Sequence, residues 1–311
     1  MLDLVFCGTP QFAVPTLEKL VASGFRVKLV VTQPDRPSGR GMEVVASPVK
    51  RTALALDLPV IQPDKIKNND EFRAQLQPIA PEAIIVVGYG RIIPQWMIDL
   101  PPLGNINLHA SLLPKYRGAA PIQWAIAMGE QVTGVTTMRI NAGLDTGDIL
   151  QQTEERIAPE DTAMTLAPRL AQAGAELMIS TLAGLKNGTI TPQPQDDAKA
   201  TLAPILKRED GQIDFARTAI DTWNRLRGFQ PWPGAFTKFR GKMLHIYAAI
   251  PAADVAAIPP AHFAIENDHL VLGFANRTAL DIHELQIEGK KRMTARDFIN
   301  GYRPKGNEPA G

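Results

Sequence analysis

Leu2-Asp3-Leu4-Val5-Phe6-Cys7-Gly8-Thr9-Pro10 is the stretch that decides the fold class. An almost continuous apolar run closed by Gly-Thr-Pro reads as a strand buried on both faces of a parallel sheet. Residues 12–22 then carry Phe12, Leu17, Leu20 and Val21 in a helical pattern, with Gly24 as the stop. Strand, turn and helix form the repeating unit of an α/β sheet, and the unit recurs outward from here. Further strands are expected at residues 27–31, 59–61, 83–87 and 104–108, and helices at 49–56, 70–76, 121–128 and 162–185. Residues 33–48 break the rhythm. They contain Pro, Gly and Arg without a period, and so long a loop in a compact domain is more often functional than idle.

Near Thr189 the texture changes. Thr191-Pro192-Gln193-Pro194-Gln195-Asp196-Asp197 is polar and proline-rich, as expected of a linker. The chain is therefore divided into a first domain over 1–189, a linker over 190–207 and a second domain over 208–311. After the linker, a helix at 216–226 precedes short strand-like runs at 235–239, 243–248, 263–265, 270–273 and 279–285, the pattern of a small β-barrel such as an OB-fold. The tail from Pro304 is expected to be mobile. Trp223, Trp232, Phe229 and Phe236 read as packing between helix and barrel.

Composition removes several classes. With 311 residues, 45% hydrophobic and 21% charged, the chain can fill one large core or two ordinary ones. The amino-terminal residues lack the basic stretch of a secretory leader. The apolar run at 83–87 is too short to span a bilayer, so no membrane partner is expected. Cys7 is the single cysteine, which rules out an internal disulfide, fits a reducing compartment and so a cytoplasmic location, and reads as core packing. A net charge of +1 announces no nucleic-acid partner by itself.

Asn105-Ile106-Asn107-Leu108-His109-Ala110-Ser111-Leu112-Leu113-Pro114 is where chemistry enters. Side chains two apart on a strand share a face, so Asn107 and His109 point together while Ile106 and Leu108 enter the core. The strand ends where a parallel sheet opens its ligand crevice. An amide beside an imidazole can donate two hydrogen bonds to one oxygen, as the oxyanion of acyl transfer requires. Read alone, Asn-x-His is a common pair and favours a surface cap. Downstream, Lys115-Tyr116-Arg117-Gly118 turns into a helix, and Asn141-Ala142-Gly143-Leu144-Asp145-Thr146-Gly147 brackets one carboxylate between glycines. That second segment by itself is equally a hairpin turn. His245, His262, His269 and His283 show no metal-ligand spacing. No Gly-x-Gly-x-x-Gly is present, so a dinucleotide is not indicated.

Together the segments resemble the formyltetrahydrofolate-dependent formyltransferases, whose signature has the form Asn-x-His-x-Ser-Leu-Leu-Pro, an aromatic-Arg-Gly, then Gly-x-Asp-Thr-Gly. The resemblance extends to Phe6-Cys7-Gly8-Thr9-Pro10-Gln11-Phe12, to Thr32-Gln33-Pro34-Asp35-Arg36-Pro37 and to Ser47-Pro48-Val49-Lys50. It continues through Val86-Val87-Gly88-Tyr89-Gly90, Phe229-Gln230-Pro231-Trp232-Pro233-Gly234 and Gly289-Lys290-Lys291-Arg292-Met293, nearly the whole chain. It implies a Rossmann-like α/β formyltransferase domain followed by a smaller OB-like β-barrel. The implied reaction moves the formyl group of 10-formyltetrahydrofolate, the co-substrate, to the methionine amine of initiator methionyl-tRNA, without a metal. Asn107, His109 and Asp145 are the implied catalytic residues. Ser111, Leu112, Leu113 and Pro114 match the folate-contacting stretch, beside a pocket near Val87, Gly88 and Tyr89. Arg36, Arg40 and Lys50 fall in the loop that the family brings to the tRNA acceptor stem. Lys290, Lys291 and Arg292 form a second basic cluster suited to phosphate contact, and solvated faces are the rival reading of both sets. The chain departs from the family at Met42-Glu43-Val44-Val45, where lysines are usual. Rival readings keep the trio with another amine acceptor, or make the chain a tRNA-binding protein without catalysis. A monomer is expected.

Overall fold

Val5, Phe6 and Cys7 have no exposed surface, as the opening run requires of a central strand. In the computed structural model, which describes residues 2–38, 43–253 and 258–311, the chain divides into two units. The first comprises Met1–Ala119, Val132–Arg156 and Ala167–Ala203; the second comprises Ala120–Gln131, Ile157–Leu166 and Pro204–Gly311.

The first unit begins with β1 (Asp3–Gly8), α1 (Val14–Ala22) and β2 (Arg26–Val31). The long loop that follows contains a short hairpin, β3 (Arg36–Ser38) with β4 (Glu43–Val45). Next come α2 (Pro48–Ala55), capped by the Ser47 hydroxyl accepting the Lys50 N–H at 3.0 Å, then β5 (Val60–Ile61) and α3 (Asp70–Leu76). β6 (Ala83–Val87), α4 (Gln95–Ile98), β7 (Asn105–His109) and β8 (Arg117–Gly118) lead to the site. After α5 (Pro121–Ala127), which groups with the second unit, come β9 (Val132–Arg139), β10 (Ile149–Arg156), α6 (Ala163–Lys186) and β11 (Leu202–Ala203). The main sheet runs β10-β9-β7-β6-β1-β2-β5. Five strands are parallel; of β9 and β10, which the sequence reading did not identify, β9 runs antiparallel to β7 and β10 antiparallel to β9. Their signal was β-branched content in Val132, Thr133, Val135, Thr136 and Thr137. Because β1 has β2 on one side and β6 on the other, the topology reverses between β1 and β6, and a crevice opens at their carboxyl ends.

Of residues 190–207, expected as a linker, those up to Ala203 group with this unit. Ile149 and Gln193 exchange backbone hydrogen bonds at 2.8 and 2.9 Å, and β11 runs parallel to β8. Prolines and polar side chains there mark an irregular edge whose backbone groups are satisfied by neighbours remote in sequence.

In the second unit the expected helix is α7 (Ala219–Gly228), followed by β12 (Ala235–Phe239), β13 (Lys242–Pro251), β14 (His262–Glu266), β15 (His269–Gly273) and β16 (Ala279–Ile287). β17 (Met293–Thr294), α8 (Ala295–Tyr302) and β18 (Glu308–Pro309) complete it. The sheet order is β12-β13-β16-β15-β14-β18, with β17 on β16, and Ala310 bridges back to Phe239 on β12. The antiparallel sheet thus curls into a nearly closed barrel, which protects its edges. The tail is not loose: β18 pairs with β14 and Ala310 is buried. Phe298 of α8 plugs the core against Phe239 at 5.0 Å between ring centroids. Phe229 and Phe236 are buried as expected, but Trp232 is exposed. Among the described residues no helix is long and apolar enough to cross a membrane.

A single methyl tests the β9–β10 seam. A Cβ at Gly134 would lie 2.2 Å from the Thr153 carbonyl oxygen and 2.5 Å from Leu112 Cδ2. Gly134→Ala is expected to destabilise by about 1–3 kcal/mol through overpacking, read as a lower urea midpoint at unchanged m-value.

Candidate active site

β7 ends the site-bearing strand as its alternation requires. Ile106 and Leu108 are buried on one face, where Gly174 of α6 leaves room: a Cβ there would fall 2.6 Å from Leu108 Cδ2. Asn107 and His109 share the opposite face. Asn107 is half-buried, and its side chain makes no hydrogen bond to any described residue, so its amide is free to donate. Its neighbour Asn105 is instead structural, donating to the Met97 and Ile98 carbonyls that end α4 at 2.8 and 3.1 Å.

His109 is 5% exposed. Its Nε2 lies 2.9 Å from the Tyr116 carbonyl oxygen. A carbonyl only accepts, so Nε2 carries the proton, and the neutral ring leaves its Nδ1 lone pair open. Nδ1 faces Asp145 Oδ2 at 3.6 Å. Burial holds the imidazole below its ordinary value of 6.5, against the opposing pull of the Asp145 carboxylate and the Tyr116 carbonyl. The resting ring is neutral at pH 7, with a carboxylate waiting beside the nitrogen that gains a proton.

The Asp145 loop explains its own composition. Asn141 Oδ1 accepts from the Gly143 N–H at 3.0 Å and from the Thr146 hydroxyl at 2.9 Å, folding the loop back on itself. A Cβ at Gly147 would sit 1.8 Å from the Arg139 carbonyl oxygen, so that position requires glycine. Asp145 adopts φ +52°, a left-handed conformation that costs a non-glycine residue about 1 kcal/mol. Its Oδ2 accepts the Gly118 N–H at 2.8 Å. Gly118 has φ +125°, and a Cβ there would lie 2.6 Å from the Ala203 carbonyl oxygen of β11. One short backbone run, Tyr116 to Gly118, therefore touches both His109 and Asp145.

The folate-family positions divide by what they expose. Val86 pairs with Asn107 in register, and β6 ends one residue later at Val87, so the turn at Gly88 opens at the carboxyl edge near the end of β7. Gly88 is exposed with φ +55°, and a Cβ would meet Pro10 Cγ at 2.8 Å. Val87 and Tyr89 are buried, so only their backbones are available to a ligand; the Tyr89 carbonyl takes hydrogen bonds from Gln33 Nε2 and the Thr9 hydroxyl. Ser111 is fully buried and donates to the Lys115 carbonyl at 2.6 Å. Thr136 Oγ1 donates to the Ser111 carbonyl and accepts the Leu113 N–H, while Gln152 Nε2 donates to the Leu113 carbonyl, fixing Leu112 and Pro114 on a knitted turn.

The basic positions are scattered in role. Arg36 is exposed on β3. Arg40 lies outside the described residues, with the rest of 39–42. Lys50 is committed to Asp35, which Gln62 also holds at 2.7 Å, so it anchors the base of the loop. Lys290 and Lys291 are exposed; Arg292 pairs with Glu284 and lies over the Tyr247 ring at 4.6 Å. Among the described residues no cluster of three His, Cys, Asp or Glu side chains is placed to hold a metal ion. Sequence reasoning missed Gln195, Thr136 and Gln152. Nothing at those positions signals a role, because each acts through pairing with segments distant in the chain.

An amide and a neutral imidazole at a strand end, with a carboxylate set against the imidazole, have the parts of an acyl-transfer enzyme that works by proton management. The match of the formyl transferase family model to residues 3–182, and of the formyl transferase C-terminal domain model to residues 205–303, shows that the chain belongs to the formyltransferase family. It is 68% identical over 308 residues to a methionyl-tRNA formyltransferase of Koribacter versatilis, covering 99% of this chain and 98% of that protein. A methionyl-tRNA formyltransferase of Acidobacterium capsulatum is 63% identical over 300 residues, 96% of each chain. In fold it is similar to the crystal structure of an N-formyltransferase from Helicobacter canadensis in complex with folinic acid and dTDP-3-aminofucose. The TM-score is 0.68 at 20% identity, covering 91% of this chain and 99% of that one.

The neutral, buried His109 has a consequence for stability. In the unfolded chain an imidazole titrates near 6.5, above its value in the native site. Below pH ~6.5 the unfolded state therefore binds a proton that the native state does not, and stability falls with pH until the native value is passed. Thermal melts of wild type and His109→Gln between pH 7.5 and 5.5 check this. Wild type should lose more of its melting temperature on acidification than the variant, and equal losses would contradict a neutral buried ring.

Proposed function

We propose that this chain transfers the formyl group of 10-formyltetrahydrofolate to the methionine amine of initiator methionyl-tRNA, in the cytoplasm. The observation that carries this reading is full-length similarity. Relatives named methionyl-tRNA formyltransferase align over both units at 68% and 63% identity, whereas the sugar N-formyltransferase of similar fold is 20% identical. Catalysis rests on Asn107, His109 and Asp145. The donor supplies an activated formyl carbon, and the chain supplies orientation and proton transfer. As the amine nitrogen bonds to that carbon, the Asn107 amide donates to the formyl oxygen where negative charge gathers, an interaction worth about 3–4 kcal/mol. His109 takes the proton released by the amine on Nδ1, the nitrogen left open by the Tyr116 carbonyl. Asp145 stabilises the resulting imidazolium from 3.6 Å. His109 then returns the proton to the departing nitrogen as the carbon–nitrogen bond to the donor breaks.

The exposed turn at Gly88, just past the end of β6, suits a flat heterocycle held by backbone groups, with the Ser111-to-Pro114 turn as its other wall. Arg36, Arg40, Lys290 and Lys291 are the side chains assigned to phosphate contact. Lys50 contributes indirectly by holding the loop, and Arg292 by holding the Tyr247 edge. The protein acts as a monomer.

Incubation with 10-formyltetrahydrofolate and either methionyl-initiator tRNA or free small amines tests the acceptor. Formylation of the tRNA is expected, and formylation of small amines alone would overturn it. Asn107→Ala and Asp145→Ala should each lower kcat about 10²–10³-fold with the melting temperature little changed. Near-normal turnover in either would sink the catalytic assignment.

A further inference from the structure

Gln195 sits in the segment after α6, where the chain carries no regular helix or strand, yet its side-chain amide is fully engaged. Nε2 donates to the Asp145 carbonyl at 2.8 Å and to the Gly147 carbonyl at 2.7 Å. Oε1 accepts from Arg117 Nε at 3.0 Å and from Arg117 Nη2 at 2.8 Å. A neutral amide is the side chain that offers two donors and a two-fold acceptor at once. Arg117 is 7% exposed, and its remaining bond runs from Nη2 to Asp197 Oδ1 at 2.8 Å. We propose that Gln195 is the positioning residue of the Asp145 carboxylate, clamping the backbone carbonyls of Asp145 and Gly147 to the buried Arg117 guanidinium.

Three observations make the clamp consequential. First, it closes a ring. Arg117 precedes Gly118, whose N–H binds Asp145 Oδ2, so one strand holds the carboxylate through its backbone and the carbonyl through its side chain. Second, Asp145 is in the left-handed region at φ +52°, a conformation that persists only where neighbours over-determine it, and two of those neighbours are the bonds from Gln195. Third, Asp145 stands 3.6 Å from His109 Nδ1, so a modest shift of the loop changes what the imidazole feels. The charged groups facing this assembly are Asp145 toward His109, Arg117 toward Gln195, and Asp197 toward Arg117; Lys199 is turned to Asp196. Gln195 adds no charge, which preserves the balance between the carboxylate and the buried guanidinium. Gln193, paired with Ile149, fixes the segment so that the amide is delivered at the right height.

The proposal rests on the reading of Asp145 and His109 as the proton-managing pair, and the experiment separates the two. Full-length Gln195→Ala, Gln195→Glu, Asp145→Asn and the double variant Asp145→Asn/Gln195→Ala are compared with wild type. The measurements are kcat, both KM values, the pH dependence of kcat and an NMR titration of the His109 ring. Gln195→Ala should lower kcat about 10–100-fold, with each KM within about threefold of wild type. Its His109 titration should move to lower pH, in the direction set by Asp145→Asn and by less. Gln195→Glu keeps the acceptor for Arg117 but loses both donors, so it should behave as the alanine variant. In the Asp145→Asn background, Gln195→Ala should cost nothing further. If Gln195→Ala melts early, Gln195→Asn, an amide one methylene short, carries the same comparison. Unchanged kcat and titration, full recovery by Gln195→Glu, or an equal loss in the Asp145→Asn background would each overturn the clamp. The titration needs no substrate, so it decides the clamp even if no formyl transfer is found, which would count against the proposed function instead.

Discussion

The peptide groups of Tyr116 and Gly118 form the constraint on which the site depends. The Tyr116 carbonyl accepts the Nε2 proton of His109 and so selects the tautomer, while the Gly118 N–H holds one oxygen of Asp145. Backbone groups suit this task because a short paired strand has no rotamers to lose, whereas a side-chain partner would itself need fixing. β8 gains that rigidity from β11, and the approach is so close that Gly118 admits no side chain. A turn that looks like a connection between a strand and a helix is thus the rigid element against which His109 and Asp145 are aligned.

Burial and charge then divide the labour. Burial lowers the affinity of His109 for a proton, and Asp145 partly restores it. Neither effect alone gives a useful base: an isolated buried imidazole resists the proton, and a tightly paired one never gives it up. The offset of 3.6 Å, longer than a hydrogen bond, lies between those limits. Asn107, without a partner of its own, remains available for a substrate oxygen.

Much of the first unit was legible from apolar periodicity, because β1 and β6 are buried on both faces and leave no room for polar residues. β9 and β10 were not, since an edge strand such as β10 carries Gln151, Gln152, Glu154 and Glu155 and reads as solvent-facing chain. The tail was misread for a related reason: β18 has two residues, too few for any period, and its order comes from closing the barrel onto β12. Among the basic residues, the family resemblance marked Lys50 and a compact basic run marked Arg292 as phosphate partners, whereas their carboxylate neighbours Asp35 and Glu284 lie 15 and 8 residues away in sequence.

What the sequence determined alone was that Asn107 and His109 share one strand face and that Asp145 sits in a tight glycine-bracketed loop, while the compound signature carried the resemblance to the family. What the tertiary structure decided was the state of that trio: which nitrogen of His109 is open, how far Asp145 stands from it, and what holds the distance. Those quantities depend on Tyr116, Gly118, Gln195 and Ala203, brought together from three separate stretches of chain. Local spacing fixes which face a side chain points to, but separations of tenths of an ångström between remote segments are set by close packing and pairing, which no local pattern records.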